Sequence, residues 1–122
     1  MRSPCWRKRL DTTWLLCWRA WPFMNPMTFG RESHVLASLS GGRALVAGGF
    51  ALLDPFDDTT LNGASAEVFS SSTGMWTRVA DMHTSRIRGH SATVLPNGTV
   101  LLAGGLVGTY NGPPTSRAEL FG

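Results

Sequence analysis

From residue 34 onward the chain alternates short apolar segments with glycine-rich or polar turns. Residues 90–95 predict one strand, 99–103 a second and mostly apolar strand, and 117–121 a third. Asn97-Gly98 lies between the first two, and this dipeptide is a strong hairpin signal because both residues tolerate positive φ. Gly104-Gly105 is expected to end the second strand, at a bend or a close backbone approach. The pattern predicts antiparallel β-structure.

The pattern occurs twice. Residues 34–49 align with 90–105 without a gap, at a constant offset of 56 positions. Trp21 precedes Met27 by six residues, and Trp76 precedes Met82 by the same six. The positions occupied alike in the two copies are Arg31 and Arg86, His34 and His90, Gly48-Gly49 and Gly104-Gly105, Glu67 and Glu119, and Phe69 and Phe121. Such self-similarity is the signature of a repeat architecture.

Each copy is about 55 residues long and predicts four strands. In the first copy, 64–69 is the third strand, 70–74 a turn and 75–80 the fourth strand. The units are 27–81 and 82–122, preceded by a last strand at 21–26. Four antiparallel strands form one blade of a β-propeller. The predicted fold class is therefore all-β, an incomplete propeller of four-stranded blades.

The repeat resembles the kelch repeat through its paired glycines, its Glu-x-Phe segment and Trp76 seven residues after Phe69. It is most similar to the variant that begins Arg-x-x-His, or one residue longer, and carries Leu-Pro-Asn-Gly in the first hairpin. The likeness covers residues 21–122. The sequence departs from the family at Phe69 and Phe121, where Tyr is frequent, and at Ser70-Ser71, where Asp-Pro is usual.

The resemblance implies kelch-type blades that serve as a binding scaffold, usually for proteins and sometimes for carbohydrate. Galactose oxidase is a copper enzyme with kelch-like blades, but its chemistry needs Tyr and His ligands around the metal. This chain has one tyrosine, Tyr110. We therefore expect no enzymatic activity, no metal and no cofactor. The alternative is that these are blades of a sugar-active enzyme, such as an oxidase or epimerase, whose catalytic residues lie outside this chain.

Residues that recur in every blade are expected to be structural. The histidines His34 and His90 would satisfy backbone groups near a central channel. The recurring arginines and glutamates would form charge-assisted hydrogen bonds within or between blades, because a buried charge needs such partners. Trp76 is expected to pack between neighbouring blades.

Specificity is expected in two loops that differ between the copies, 50–63 and 106–116, both beside residues 83–85. The first loop is acidic and aromatic, and the second is uncharged. An unidentified protein or carbohydrate would contact them. The candidate partner-binding residues are Phe50, Asp54, Phe56, Asp57, Asp58, Tyr110 and Asn111.

The net charge of +3 arises in the first 20 residues, which hold five of the 11 Lys and Arg residues. The rest of the chain has no basic patch, so a nucleic-acid partner is not expected. Residues 1–20 predict an unstructured extension or a short Trp-rich helix, for which membrane contact is the alternative. No apolar run has the length of a signal peptide or a membrane span, and the compartment is not predicted.

Two blades are too few to close a propeller, which needs about four to eight. One interpretation is a fragment of a longer kelch protein. The other is head-to-tail association of several copies, in which residues 21–24 supply the missing fourth strand of a neighbour's last blade.

Overall fold

The computed structural model of this 122-residue chain describes residues 24–52, 60–61, 63–109 and 111–122. These residues form nine β-strands and no helix. The strands are β1 (Val35–Leu39), β2 (Arg43–Ala47), β3 (Ala51–Leu52), β4 (Thr60–Leu61), β5 (Ala66–Ser70), β6 (Met75–Arg78), β7 (Arg86–Val94), β8 (Val100–Val107) and β9 (Ala118–Phe121).

The strands form two blade-like sheets and one short ribbon, all antiparallel. The first sheet has the order β1-β2-β5-β6, and the second has the order β7-β8-β9. The ribbon pairs β3 with β4 within the first variable loop, 50–63. The all-β prediction is confirmed, and within the described residues the two sheets do not close a ring.

The two sheets share one pairing register. Ala47 on β2 pairs with Ala66 on β5, and Ala103 on β8 pairs with Ala118 on β9. These are the positions that the repeat aligns. Three positions earlier, Ala44 pairs with Phe69 and the aligned Val100 pairs with Phe121. The two copies therefore form the same three-strand arrangement.

One extra residue distinguishes the second copy. The spacing from Arg86 to His90 is one residue longer than its counterpart, and the β7–β8 register shifts between Arg86 and Arg88. The residue between them, Ile87, is fully buried. It lies so close to Gly63 that a Cβ added to this glycine would meet Ile87 Cδ1 at 2.5 Å. A β-bulge thus absorbs the insertion and turns an apolar side chain inward.

The sheets pack face to face through small and branched side chains. In an antiparallel pair, directly opposed residues share a face, so each sheet presents one set of residues inward. The buried cluster between the sheets consists of Ala37, Leu45, Ala47, Ala66, Val100 and Leu102. Half-buried side chains that border it include Met82, Ala92 and Phe121.

The outer faces of the two sheets carry exposed leucines. Leu36 on the first sheet is 63% exposed, and Leu120 on the second is 65% exposed. The repeat aligns Leu36 with Ala92 and Leu120 with Val68, and both of those residues border the core between the sheets. Each outer face is therefore the counterpart of a face that is covered inside the chain.

The predicted hairpin at Asn97-Gly98 is confirmed, but its turn type differs. Gly98 has a φ of 88°, but Asn97 does not have a positive φ, because Ser33 is the one non-glycine residue with positive φ among the described residues. The Gly98 N–H donates to the Leu95 carbonyl at 2.9 Å. The turn is a type I turn followed by a left-handed glycine, because Pro96 cannot adopt positive φ.

The prediction that Gly104-Gly105 ends a strand was wrong. β8 continues through both glycines to Val107, because β7 begins at Arg86 and supplies a partner strand for this extension. In the first copy, β2 does end before the glycine pair. Elsewhere the first and last residues of the observed strands differ from the predicted ones by at most two positions. The exception is β7, which begins four residues before the predicted start at residue 90. Of the last strand predicted at 21–26, residues 24–26 are irregular, and 21–23 lie outside the described residues.

Candidate partner-binding end of the sheets

A buried arginine joins three parts of the first sheet. Nη2 of Arg31 donates to Oε2 of Glu67 at 2.9 Å, and neither side chain is exposed. Nη1 of Arg31 donates to the carbonyl oxygens of Gly48 at 2.9 Å and Ser65 at 3.1 Å. The guanidinium thus holds the end of β2 beside the start of β5.

The second sheet repeats this arrangement. Nη2 of Arg86 donates to Oε2 of Glu119 at 3.0 Å. Its Nη1 donates to the carbonyl oxygens of Gly104 at 2.6 Å and Arg117 at 3.1 Å. The expectation that the recurring arginines and glutamates make charge-assisted hydrogen bonds is confirmed: both pairs lie within a blade. We call each pair an Arg–Glu clamp.

Backbone N–H groups complete the coordination of both carboxylates. Burial by itself raises the pKa of Glu67. The hydrogen bonds from the Thr28 amide, the Arg31 side chain and the Phe29 amide outweigh this effect and lower the pKa overall. The Thr28 amide lies 2.7 Å from Oε1. Glu67 is therefore a fully partnered structural anion.

Glu119 is held by the matching groups of the second copy. The His83 and Thr84 amides donate to its two oxygens at 2.6 and 3.1 Å. Burial raises the pKa of Glu119, but these amides and the Arg86 guanidinium lower it by more than burial raises it, so the net shift is downward. Each clamp therefore also binds the segment that leads into its own sheet.

His90 connects the two sheets. It is buried, and its Nε2 lies 3.0 Å from the carbonyl oxygen of Ala47 on the first sheet. A carbonyl only accepts, so Nε2 carries the proton. Burial lowers the pKa of His90, as do Arg86 and His34, while the Ala47 carbonyl acts in the opposite sense. The expectation that a recurring histidine satisfies a backbone group is confirmed for His90, whereas His34 is exposed.

The glycine doublet serves two different contacts. A Cβ on Gly48 would meet the Arg86 carbonyl oxygen and His90 Nε2, both at 2.6 Å, so Gly48 permits the approach of the second sheet. A Cβ on Gly49 would clash with the Glu32 carbonyl oxygen of its own sheet. The absence of a side chain at Gly48 allows contact between the two sheets, and its absence at Gly49 allows contact within the first sheet.

Aromatic side chains lie on the last two strands of the first sheet and on the last strand of the second. The rings of Phe69 and Trp76 lie 5.2 Å apart in a tilted arrangement. Phe121 borders the core between the sheets. Trp76 packs with Phe69 on the face that the first sheet turns away from the second.

The first variable loop begins and ends against the second sheet. The Gly49 N–H donates to the Arg86 carbonyl, and the Arg86 N–H donates to the Gly63 carbonyl, at 3.0 and 2.8 Å. The Met82 N–H also donates to the Ala64 carbonyl at 2.7 Å. These bonds place the base of the loop beside residues 82–86, as expected.

The second variable loop is closed on itself. A bridge joins Leu106 to Pro114, and the Thr115 N–H donates to the Gly105 carbonyl at 2.9 Å. Beside it lies an open hollow of about 450 Å³, with Arg88 and Gly89 on one side and Leu106 and Pro114 on the other. This hollow is the concave feature at the Gly-pair end of the second sheet.

The candidate partner-binding residues differ in their placement. Asn111 is exposed at the tip of the second loop. Phe50 is only 3% exposed, so its side chain belongs to the packed interior rather than to an accessible surface. Those outside the described residues are Asp54, Phe56, Asp57, Asp58 and Tyr110.

No group of three or more His, Cys, Asp or Glu side chains within the described part of the chain is arranged to hold a metal ion. The same residues include no helix of the length and apolar character that a bilayer crossing requires. In comparisons with known proteins, no family model and no curated protein matches this chain.

Sequence reasoning missed the groups that these side chains bind. The main-chain acceptors of the clamps are the carbonyls of Gly48, Ser65, Gly104 and Arg117, and a carbonyl has no sequence signature. The buried position of Ile87 beside Gly63 had one signal, the extra residue between Arg86 and His90, and its bulge was not predicted. The acceptor of His90 was likewise invisible, because it lies 43 positions away along the chain.

Proposed function

We propose that the chain is a non-enzymatic scaffold of kelch-type blades that binds a protein partner through the two loops following its glycine pairs. The observation that supports this most directly is that the recurring polar side chains, apart from the exposed His34, are used internally. Both Arg–Glu clamps and His90 have partners within the two sheets. The side chains that remain available to bind a partner lie in the two loops that differ between the copies, 50–63 and 106–116.

Both loops open at the same end of the sheets, because each follows the second strand of its blade. The turn at residues 71–74 and the hairpin at 40–42 lie at the opposite end, where the Ser71 N–H donates to the Gly42 carbonyl at 3.0 Å. One loop is rich in aspartate, and the hollow beside the other has Arg88 in its wall. A partner that carries basic groups suits the first loop.

The test replaces the loop tips and leaves their bases intact. One variant has Gly/Ser residues at 53–59 and 109–111, which preserves Phe50, the Leu106–Pro114 bridge and Gly112. A matched control has Gly/Ser residues at 71–73, at the opposite end. Partners are captured on both variants and on the unmodified chain, and identified by quantitative mass spectrometry. A glycan array serves as the carbohydrate arm.

We expect the loop-tip variant to lose the proteins that both the unmodified chain and the control capture. Far-UV circular dichroism should remain that of a β-protein in all three. A triple variant with Asp54→Asn, Asp57→Asn and Asp58→Asn should bind more weakly, and the loss should be greatest at low salt. Equal capture by the loop-tip variant would contradict the proposal, and glycan binding alone would replace the protein partner with a carbohydrate.

A further inference from the structure

The hairpin between β7 and β8 holds an asparagine side chain in a defined position. Asn97 is exposed at the tip of the hairpin, and Gly98 follows it. Oδ1 of Asn97 accepts hydrogen bonds from the Thr99 N–H at 3.1 Å and from the Thr99 hydroxyl at 2.7 Å. The bond from the N–H closes an Asx turn, a hydrogen-bonded ring that includes the main-chain nitrogen of Gly98.

An asparagine that precedes glycine can lose its side-chain amide without an enzyme. The main-chain nitrogen of the glycine attacks Cγ of the asparagine, a bond forms between these atoms, and the Cγ–Nδ2 bond breaks. Ammonia leaves with the proton that the attacking nitrogen gives up. Water then opens the resulting succinimide at one of its carbonyls, which yields aspartate or isoaspartate. Glycine favours the attack because it has no side chain to hinder it.

The two Thr99 donors are placed where they assist this reaction. Negative charge develops on Oδ1 of Asn97 while the nitrogen of Gly98 adds to Cγ. Donors that already point at such an oxygen stabilise the transition state more than the starting amide. The Gly98 N–H itself donates to the Leu95 carbonyl at 2.9 Å, so the nitrogen can react when that bond opens.

A second asparagine in the same chain provides a comparison. Asn111 is also exposed and is followed by Gly112, whose N–H donates to a main-chain carbonyl at 2.9 Å, as that of Gly98 does. The next residue is Pro113, which has neither a main-chain N–H nor a hydroxyl. The two sites therefore match in their attacking nitrogen and differ in the groups that can bind Oδ1.

The first copy of the repeat lacks this site. The residues aligned with Asn97 and Gly98 are Gly41 and Gly42. Because glycine has no side-chain amide, the hairpin of the first sheet cannot undergo the reaction.

We propose that Asn97 is a self-modification site, at which Thr99 promotes conversion of the side-chain amide to a carboxylate by the nitrogen of Gly98. The product carries an additional negative charge at the hairpin end of the second sheet, opposite the two variable loops. In the isoaspartyl product the main chain runs through the former side chain, which lengthens the turn by one methylene group. The site is independent of the loops proposed to bind a partner.

The test compares both asparagines in one sample of the full 122-residue chain. The chain is incubated at neutral and mildly alkaline pH, digested in acid, and mapped by mass spectrometry, with isoaspartate detected by enzymatic methyl transfer. We expect Asn97 to convert about tenfold faster than Asn111, the effect of one hydrogen bond to an oxygen that gains charge. Both rates should rise with pH, because the attacking nitrogen must lose its proton.

Unfolding the chain in guanidinium chloride shows whether the fold causes the difference. The Asx turn is lost there, so the two asparagines should convert at similar rates. A tenfold difference that persists in the unfolded chain would assign it to the local sequence and overturn the proposal.

Two variants isolate the hydroxyl. Thr99→Ser keeps it and should keep the rate at Asn97, whereas Thr99→Val keeps the branched shape and should lower that rate about tenfold. Asn111 is the internal reference in each variant. Equal rates at Asn97 in the serine and valine variants, or a rate in the unmodified chain no faster than at Asn111, would contradict the proposal. If circular dichroism shows that the valine variant does not fold, the comparison within the unmodified chain decides.

Discussion

The imidazole of His90 on the second sheet donates a hydrogen bond to the main-chain carbonyl of Ala47 on the first, across 3.0 Å. Gly48 makes this possible, because any larger residue would place a Cβ 2.6 Å from the same ring nitrogen. A recurring histidine of one blade and a recurring glycine of the previous blade therefore form a single contact. This contact sets how closely the two sheets approach.

The stability of the chain is expected to fall as the pH drops below about 6.5, the ordinary value for histidine. Burial, Arg86 and His34 hold the pKa of His90 below that value in the folded state. The unfolded chain then binds the proton at a pH where the folded chain does not, so the contribution is complete above 6.5 and is lost below it. Urea unfolding between about pH 7.5 and 5 measures it.

His90→Gln should remove this pH dependence, since glutamine does not titrate. His34→Gln is the matched control, because it occupies the equivalent and exposed position of the first copy. It removes only the smallest of the effects that lower the pKa of His90, so it should retain most of the dependence. Equal slopes in both variants would assign the effect to other groups. The clamp glutamates have pKa values lowered from 4.5, so their contributions decline only at lower pH.

Gly48→Ala should destabilise the chain more than Gly104→Ala. The two glycines have nearly the same φ, 70° and 72°, so the backbone strain of an alanine is common to both. An added Cβ clashes with the second sheet only at Gly48, whereas at Gly104 its nearest neighbour is a carbonyl oxygen 4.0 Å away. We expect a difference of about 1–3 kcal/mol in the free energy of unfolding.

Chemical denaturation of both glycine variants checks this difference. An equal loss would mean that the strain at positive φ, rather than the approach of the sheets, explains why the first glycine of the pair recurs.

Glu67→Ala should destabilise the chain by about 3–5 kcal/mol, because it leaves the Arg31 guanidinium buried without its carboxylate. Both side chains of the pair are fully buried. Asp81→Ala provides the control, since it removes an ion pair with Arg78 in which the side chains are 46% and 50% exposed. That change should cost about 1 kcal/mol or less.

Thermal unfolding followed by circular dichroism compares the two carboxylate variants. A loss in Glu67→Ala no larger than that in Asp81→Ala would show that the first clamp does not stabilise the fold.

Ile87→Ala should lower the free energy of unfolding by about 2–5 kcal/mol, the range for truncating a buried aliphatic side chain. Ile87 is fully buried, although it has no counterpart in the first copy. Leu36→Ala removes a side chain that is 63% exposed and should have a small effect. If the two variants unfold at the same urea concentration, the buried bulge residue does not stabilise the fold.

The repeated residues by themselves determined the architecture. Two copies of a pattern at a constant offset of 56 predicted equivalent strands, and the pairing registers around Ala47 and Ala103 confirm this. The pattern suffices because alternation of side chains and turn glycines act over a few neighbouring residues. The roles of the recurring arginines, glutamates and His90 followed because buried charges and rings require partners.

Only the tertiary structure decided which groups those partners were. The Ala47 carbonyl, the buried bulge residue Ile87 and the strand that continues past Gly104 depend on chain segments far apart in sequence. The cavity lined by Leu45, Leu102 and Phe121 also emerges only when the two sheets pack together. Contacts of this kind are set by the three-dimensional approach of main-chain atoms, which are the same for every residue and leave no mark in the sequence.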